Sequence, residues 1–224
     1  MPLNISDSAF DDNQEPRLPL VLLVDISGSM SGEPINQLNS GLVTFKREVA
    51  TDEVAADRVE IAIVTFGGNV RLIQDFVTVD NFTPPNLSTT GDTPMGQAIE
   101  QGISLLESRK AIYKAQAVDY FRPWMMLITD GEPTDGDQWK NASQKLKEAV
   151  NSRKLYFYAI GVQDANMDVL RQIAPPDSPP KLLDGLKFQE LFRWLSASVR
   201  EQSRRIVGKQ DADTPPIIGW AKAD

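Results

Sequence analysis

Two acidic residues in this chain each follow directly on an apolar stretch that is typical of a buried strand. Asp25 ends the run LVLLVD, and Asp130 follows the run WMMLIT. Two serines, Ser27 and Ser29, come after Asp25 at alternate positions. Nearly continuous apolar runs of this kind are typical of parallel strands that are covered on both faces. The pattern therefore predicts carboxylates and hydroxyls at the carboxyl ends of buried strands.

A third hydroxyl, that of Thr93, stands in a loop rich in Pro, Asn, Thr and Gly, just before the helix that Pro94 is expected to open. Ligands of open α/β sheets bind at the carboxyl ends of strands, where the strand order reverses. If the strands that end at Asp25 and Asp130 flank that point, all these oxygens converge in one crevice. Oxygen ligands without nitrogen or sulfur suit a hard divalent cation such as Mg²⁺. Because the set carries only two negative charges, a bound metal keeps a position for an external carboxylate.

The composition excludes several other kinds of chemistry. The chain of 224 residues contains no cysteine and no histidine, which rules out disulfides, thiolate zinc sites and Ser-His-Asp catalysis. Its net charge of -8 argues against a nucleic-acid or anionic-membrane partner. No stretch approaches the ~18 consecutive apolar residues of a membrane span, and no signal peptide is recognisable. These features favour a cytoplasmic protein.

The elements that must position the oxygens alternate between strand and helix. Helical spacing predicts helices over 34–50, from Thr93-Pro94 through Ile112, around 139–150, over 167–173 and over 188–200. Apolar runs predict strands over 18–26, 59–66, 70–77, 124–129, 154–162 and near Leu182-Leu183. This alternation predicts an α/β, doubly wound (Rossmann-like), mostly parallel sheet with helices on both faces. The hairpin of the second and third strands supplies one antiparallel edge strand.

The domain organisation is predicted to be simple. Residues 1–17 are polar and acidic and are predicted to form a flexible N-terminal arm, and residues 203–224 a C-terminal tail. One domain, residues 18–202, is predicted to carry all the chemistry.

The combination of Asp25-x-Ser27-x-Ser29, Thr93 in GDTP and Asp130 in TDG resembles the von Willebrand factor A (VWA) domain family, over roughly residues 18–202. The resemblance implies a metal-ion-dependent adhesion site. Ser27, Ser29 and Thr93 would coordinate the ion through their hydroxyls, and Asp25 and Asp130 directly or through water. The implied ion is Mg²⁺, with Mn²⁺ or Ca²⁺ as alternatives, and the implied partner is a protein that offers an acidic residue to the metal.

Longer stretches are similar to one bacterial subgroup of that family. PLVLLVDISGSM, GDTPMGQAI and FRPWMMLITDGEPTD look like stand-alone VWA proteins of tellurite-resistance (TerY-type) clusters. Such proteins are often encoded beside a protein kinase and a PP2C-type phosphatase. The resemblance therefore implies a cytoplasmic adaptor or scaffold in a bacterial stress or phospho-signalling system.

Plainer interpretations of the same residues stay open. Thr93 is expected to cap its helix as well as to face the metal, and Asp92 is equally consistent with an ordinary loop residue. The acids of the turn TDGEPTDGD, which are Glu132, Asp135 and Asp137, are expected to be solvated.

Two alternative functions also fit an acid after the first strand. One is an Asp-dependent metal phosphohydrolase, but such enzymes typically carry a second acid where Ser27 stands, and the chain has neither a Gly-x-Ser-x-Gly motif nor a phosphate-binding P-loop. The other is a metal-free structural scaffold. We expect a binding module and no enzyme.

Overall fold

A computed structural model of the chain describes Phe10, residues 13–208 and residues 219–222. The predicted arm and tail lie partly outside the described residues, so the domain boundaries stay predictions. Within the described ranges, no helix is long and apolar enough to cross a membrane.

The described strands form one six-stranded sheet in the order β3-β2-β1-β4-β5-β6. All neighbours are parallel except β2 and β3, which form the predicted antiparallel hairpin at one edge. The strand order reverses between β1 and β4. The strands are β1 Leu18–Asp25, β2 Val59–Gly67, β3 Asn69–Thr78, β4 Trp124–Thr129, β5 Tyr156–Gly161 and β6 Lys181–Leu182.

Helices cover both faces of the sheet, as the alternating pattern predicted. They are α1 Glu33–Val49, α2 Glu53–Arg58, α3 Met95–Ala115, α4 Gln138–Asn151, α5 Met167–Ile173 and α6 Phe188–Ser203, with a 3₁₀ turn at Gly28–Met30. Sequence analysis missed only α2, because six residues are too few to show a helical period. The side chain of Asp52 accepts a hydrogen bond from the Ala55 N–H and so caps this short helix.

The alternation of side chains along β1 fixes the face of the sheet to which Asp25 points. Leu20 and Leu22 pack into the core that contains α1 and α6, whereas Val21 and Leu23 pack into the core that contains α3 and α4. Successive side chains of a strand point to opposite faces. Asp25 continues the second series and therefore points to the face that α3 covers.

The last described segment, residues 219–222, lies beside β6. The Asp184 N–H donates to the Trp220 carbonyl at 2.8 Å, and the Lys222 N–H donates to the Leu182 carbonyl at 2.9 Å. The Trp220 side chain is buried, with its ring centroid 5.3 Å from that of Trp194 in α6. This segment thus packs between the sheet edge and the last helix.

Candidate metal centre

The carboxylate of Asp25 lies at the carboxyl end of β1 and is fully buried. Its Oδ1 accepts from the Ser27 N–H at 2.8 Å, and its Oδ2 accepts from the Thr129 hydroxyl. Burial raises the pKa of Asp25 to about 6; these hydrogen bonds lower it in part, and the nearby charge of Asp130 raises it further. The Ser27 hydroxyl also donates to Asp25 and lowers its pKa, but these neutral donors leave much of the buried charge uncompensated.

The two serines and Asp130 continue outward from Asp25. The Ser29 hydroxyl donates to Asp130 Oδ1 at 2.7 Å, and the hydroxyl oxygens of Ser27 and Ser29 are 3.0 Å apart. Burial raises the pKa of the half-buried Asp130 as well, while the Ser29 hydrogen bond opposes that rise. Parallel pairing of β1 with β4 makes these two strand ends neighbours, which is the arrangement that the sequence suggested.

The third part of the set comes from the loop before α3, and close backbone contacts hold this loop in place. The Thr90 N–H donates to the Ile26 carbonyl at 2.6 Å, and the Gly28 N–H donates to the Gly91 carbonyl at 3.1 Å. Gly91 has a φ of 63°, and a Cβ there would lie 2.4 Å from the Cα of Gly68. Only glycine fits this approach.

Thr93 itself is buried, and its backbone is tied to the loop after β4. Its N–H donates to the Thr134 hydroxyl at 3.0 Å, and its carbonyl accepts from the Thr134 N–H at 2.9 Å. The expectation that Thr93 caps its helix was wrong. Pro94 occupies the N-cap position without a side-chain cap bond. Capping by the Thr93 hydroxyl therefore does not occur.

The side chain of Asp135, and not that of Thr93, accepts a hydrogen bond from the first turn of α3. Its Oδ2 accepts from the Gln97 N–H at 3.1 Å, and its Oδ1 is buried. The expectation of a solvated acid was therefore wrong for this residue. It was correct for the other two, since Glu132 and Asp137 are exposed. Asp92 is exposed too, and its carbonyl accepts from the Gly68 N–H at 2.7 Å.

Gly131, in the loop after β4, lies close to oxygens of the other two loops. A Cβ on Gly131 would lie 3.0 Å from Thr93 Oγ1 and 3.5 Å from Asp25 Oδ2. Glycine at this position therefore leaves room between a hydroxyl and a carboxylate, where another residue would place a methyl group. Among the described residues, no lysine or arginine forms an ion pair with Asp25 or Asp130.

The donor set fits a hard cation only when the hydroxyl oxygens are counted together with the carboxylates. Within the described ranges, no group of three or more acidic side chains gathers in a way that could hold a metal ion. Two carboxylates and three hydroxyls, from Asp25, Asp130, Ser27, Ser29 and Thr93, supply oxygen donors of the type that Mg²⁺ and Mn²⁺ accept.

Sequence analysis missed the supporting residues around this set. Thr129 donates to Asp25 and also accepts from the Gly131 N–H at 3.1 Å, so it connects the two strand ends. Its signal was present, because a hydroxyl closes an otherwise apolar strand. The reciprocal bonds of Thr134 had no signal in the sequence, because they depend on how two distant loops pack.

Comparison with known proteins gave consistent matches. The model of the von Willebrand factor type A domain family matches residues 20–181. The chain is 28% identical over 210 residues to the uncharacterized protein sll0103 of Synechocystis, covering 87% of this chain and 46% of that protein. It is 23% identical to the mouse collagen alpha-5(VI) chain, covering 88% of this chain and 7% of that one. The chain thus spans less than half the length of these relatives.

Solved structures agree on the fold. The pilus adhesin SpaC of Lactobacillus rhamnosus GG superposes with a TM-score of 0.62 at 14% identity, covering 84% of this chain and 30% of the adhesin. The manganese-loaded TRAP protein of Plasmodium vivax gives a TM-score of 0.51 at 22% identity, covering 79% of this chain and 73% of TRAP.

Proposed function

The chain belongs to the von Willebrand factor type A domain family, and from this premise we propose that it is a metal-ion-dependent protein-binding module. The metal would be held by Asp25, Ser27, Ser29, Thr93 and Asp130. Its ion would be Mg²⁺, with Mn²⁺ or Ca²⁺ as alternatives. When bound, the metal supplies a positive centre that accepts a carboxylate oxygen of a partner protein.

One observation supports this proposal: Thr93 Oγ1 and Asp25 Oδ2 both lie within 3.5 Å of the position that a Cβ of Gly131 would occupy, and the Ser29 hydroxyl donates to Asp130 at the neighbouring strand end. The buried carboxylate of Asp25 and the half-buried one of Asp130 lack a cationic partner among the described residues. A divalent cation would supply the missing positive charge. The TRAP protein of Plasmodium vivax is loaded with manganese, and a similar ion here is part of the proposal.

The partner class follows from the number and charge of the ligands. Two carboxylates just neutralise a divalent ion, and five side-chain ligands leave one of about six coordination positions for an incoming carboxylate oxygen. Enclosed at an interface, such a contact acts as a hot spot. The finer proposal is a cytoplasmic adaptor or scaffold in a bacterial stress or phospho-signalling system, whose partners include a kinase and a PP2C-type phosphatase. The resemblance to tellurite-resistance-associated proteins supports it.

We propose binding and not catalysis because the chain contains no histidine, the commonest general base. The second position after Asp25 is Ser27, whose hydroxyl lies 3.0 Å from that of Ser29, where a phosphohydrolase typically carries an acid. Hydrolysis of p-nitrophenyl phosphate in Mg²⁺ that disappears in Asp25→Asn would overturn this part of the proposal.

Metal binding can be tested before any partner is known. We expect Mn²⁺ to bind the chain with a 1:1 stoichiometry, measured by electron paramagnetic resonance of the free ion, and Mg²⁺ to compete with it. Thr93→Val keeps the shape and removes the hydroxyl, so it should weaken Mn²⁺ binding at least tenfold. Thr90→Val is the matched control, because Thr90 is an exposed residue of the same loop.

Partner binding is tested with the same two variants. Proteins captured from the source cells by the immobilised chain in Mg²⁺ should be released by EDTA and should not bind Thr93→Val. Capture that persists in EDTA and in Thr93→Val would contradict a metal-dependent module and would favour a metal-free scaffold.

A further inference from the structure

Thr134 is an exposed residue that contacts one of the proposed metal ligands directly. Thr93 is buried, whereas Thr134 lies on the surface, in the loop after β4. The Thr93 N–H donates to Thr134 Oγ1 at 3.0 Å, and the Thr134 N–H donates to the Thr93 carbonyl at 2.9 Å. These two bonds hold the Thr134 hydroxyl beside a proposed metal ligand, on a residue that a partner protein can reach.

The Thr134 hydroxyl still has a proton to donate. A hydroxyl has one O–H donor and two acceptor lone pairs, and the bond from the Thr93 N–H uses one of the lone pairs. Among the residues that the structure describes, none accepts the proton of Thr134. Oδ1 of the next residue, Asp135, is buried without a hydrogen-bond partner, so it does not accept this proton either. The proton is therefore available to solvent or to a ligand.

The distance between Thr134 and Thr93 is short enough for one carboxylate group to bridge a bound ion and the Thr134 hydroxyl. Three covalent bonds separate Thr93 Oγ1 from the Thr93 nitrogen, which lies 3.0 Å from Thr134 Oγ1. The two hydroxyl oxygens are therefore at most about 7 Å apart. An ion that binds Thr93 Oγ1 would lie ~2.1 Å from it. A carboxylate with one oxygen on that ion can then direct its second oxygen to Thr134.

The three loops around the proposed metal ligands offer no basic side chain for that second oxygen. These loops are residues 26–32, 79–94 and 130–137, and they contain no lysine and no arginine. The hydrogen-bond donors that they can offer are neutral, and leaving a carboxylate oxygen unpaired at an enclosed interface is costly. The Thr134 hydroxyl is such a neutral donor, and its bond to Thr93 places it next to the ion.

We propose that the Thr134 hydroxyl donates a hydrogen bond to the second oxygen of the partner's carboxylate, so that the metal ion and Thr134 hold one carboxylate group together. This inference rests on the proposed function, because it requires the ion at the five proposed ligands. Hydrogen bonds to a charged acceptor are stronger than those between neutral groups. The contact would therefore favour a carboxylate over an anion that offers only a single atom.

The test compares two simple anions on the Mn²⁺-loaded full chain. Acetate has two oxygens, whereas fluoride is a single atom without a second acceptor. Each anion displaces water from the bound Mn²⁺, so its affinity is measured by the fall in water-proton relaxation as the anion is added at constant ionic strength. Thr134→Val should weaken acetate binding at least fivefold and change fluoride binding less than twofold. Thr134→Ser keeps the hydroxyl and should restore acetate binding.

Thr90→Val is the matched control, because Thr90 is also exposed but its N–H donates to the Ile26 carbonyl and not to a proposed ligand. It should leave both anion affinities unchanged. A measurement without metal checks the hydrogen bond on which the contact depends. In EDTA, Thr134→Val should accelerate hydrogen exchange of the Thr93 N–H, whereas Thr134→Ser should not, because serine keeps the acceptor oxygen.

Failure of the carboxylate contact is distinguishable from failure of the metal site. If Mn²⁺ does not bind the unmodified chain, both are overturned. If Mn²⁺ binds but acetate does not, or if Thr134→Val binds acetate as tightly as the unmodified chain, only the contact is overturned. Equal weakening of acetate and fluoride binding would mean that Thr134 acts only through Thr93, which also overturns the contact. Unchanged exchange of the Thr93 N–H in Thr134→Val would overturn the geometry from which the contact is inferred.

Discussion

Two buried carboxylates at opposite ends of the sheet differ in their hydrogen-bond and ion-pair partners. Glu60, near the amino end of β2, lies 3.2 Å from Arg17 Nε and 2.6 Å from Arg109 Nη2, and also accepts from the Tyr113 hydroxyl. Burial, and after it the charge of Glu60, raise the pKa of Tyr113 well above its usual value. Asp25, at the carboxyl end of β1, has as donors among the described residues only neutral groups, which are the backbone N–H and hydroxyl of Ser27 and the hydroxyl of Thr129.

The difference separates a charge that is paired within the chain from one that has no cationic partner among the described residues. At the amino end, the chain supplies its own cations, and the ion pairs connect β2 to α3 and to Arg17, which precedes β1. At the carboxyl end, Asp130 adds a second negative charge beside Asp25, and burial holds the pKa of Asp25 at about 6. A buried charge is costly unless it is paired. We infer that the missing cation comes from outside the chain.

The largest expected effect is the loss of the charge at the amino end. Glu60→Gln leaves two poorly exposed guanidinium groups, those of Arg17 and Arg109, without their anion. Breaking a buried pair in this way typically costs about 3–5 kcal/mol. We expect a loss of that size in the free energy of unfolding, measured by urea denaturation.

Asp168→Asn is the control for that substitution. Asp168 pairs with Arg171 at 2.7 Å, and both side chains are exposed, at 86% and 63%. Exposed pairs contribute about 0–1 kcal/mol. Equal effects of the two substitutions would mean that burial does not distinguish the two ends of the sheet.

The opposite sign is expected at the carboxyl end. Asp25→Asn keeps the shape of the side chain and removes its buried charge, so in EDTA at pH 8 we expect the variant to be more stable than the unmodified chain by about 3 kcal/mol. Addition of Mg²⁺ should raise the unfolding temperature of the unmodified chain only. Thermal unfolding with and without Mg²⁺ measures both effects.

The pH dependence in EDTA checks the same cause. The folded pKa of Asp25, about 6, lies above its ordinary value of 3.8, so the folded state binds more protons than the unfolded state between these values. Stability contributed by this group therefore falls as pH rises from about 4 to about 6 and then stays level. The difference between the unmodified chain and Asp25→Asn should grow over that interval. If the difference in unfolding free energy stays constant from pH 4 to pH 6, the charge of Asp25 is not the cause of the difference.

The smallest effect on stability is expected at Gly131. A methyl group 3.0 Å from Thr93 Oγ1 requires a shift of a few tenths of an ångström, so Gly131→Ala should change the free energy of unfolding by less than ~1 kcal/mol. Mn²⁺ affinity should nevertheless fall at least tenfold, because the methyl group fills the space between the donors. Gly28→Ala is the control, since its Cβ meets only the Gly91 carbonyl at 3.9 Å. If Gly131→Ala binds Mn²⁺ as tightly as the unmodified chain, the ion does not bind in the space beside Gly131.

Much of the fold was accessible from the sequence because its strands are long apolar runs. β4 was predicted with both ends correct, and so was α5. The hairpin of β2 and β3 was predicted from its turn residues, 67–69, and is present. Short or capping features were less accessible. α2 has too few residues for a period, and the bond from the Gln97 N–H to Asp135 joins residues that no local pattern relates.

The sequence by itself determined which residue types stand at the strand ends, and that each follows a buried run. It also determined that Asp25 points to one face of the sheet, because alternation along a strand is a local property. Only the tertiary structure decided that β1 and β4 are neighbours, which brings Ser29 to within 2.7 Å of Asp130 across 101 positions of the chain. It alone decided that Thr93 and Gly131 meet. Strand order and loop packing depend on contacts between distant residues, and local patterns do not encode them.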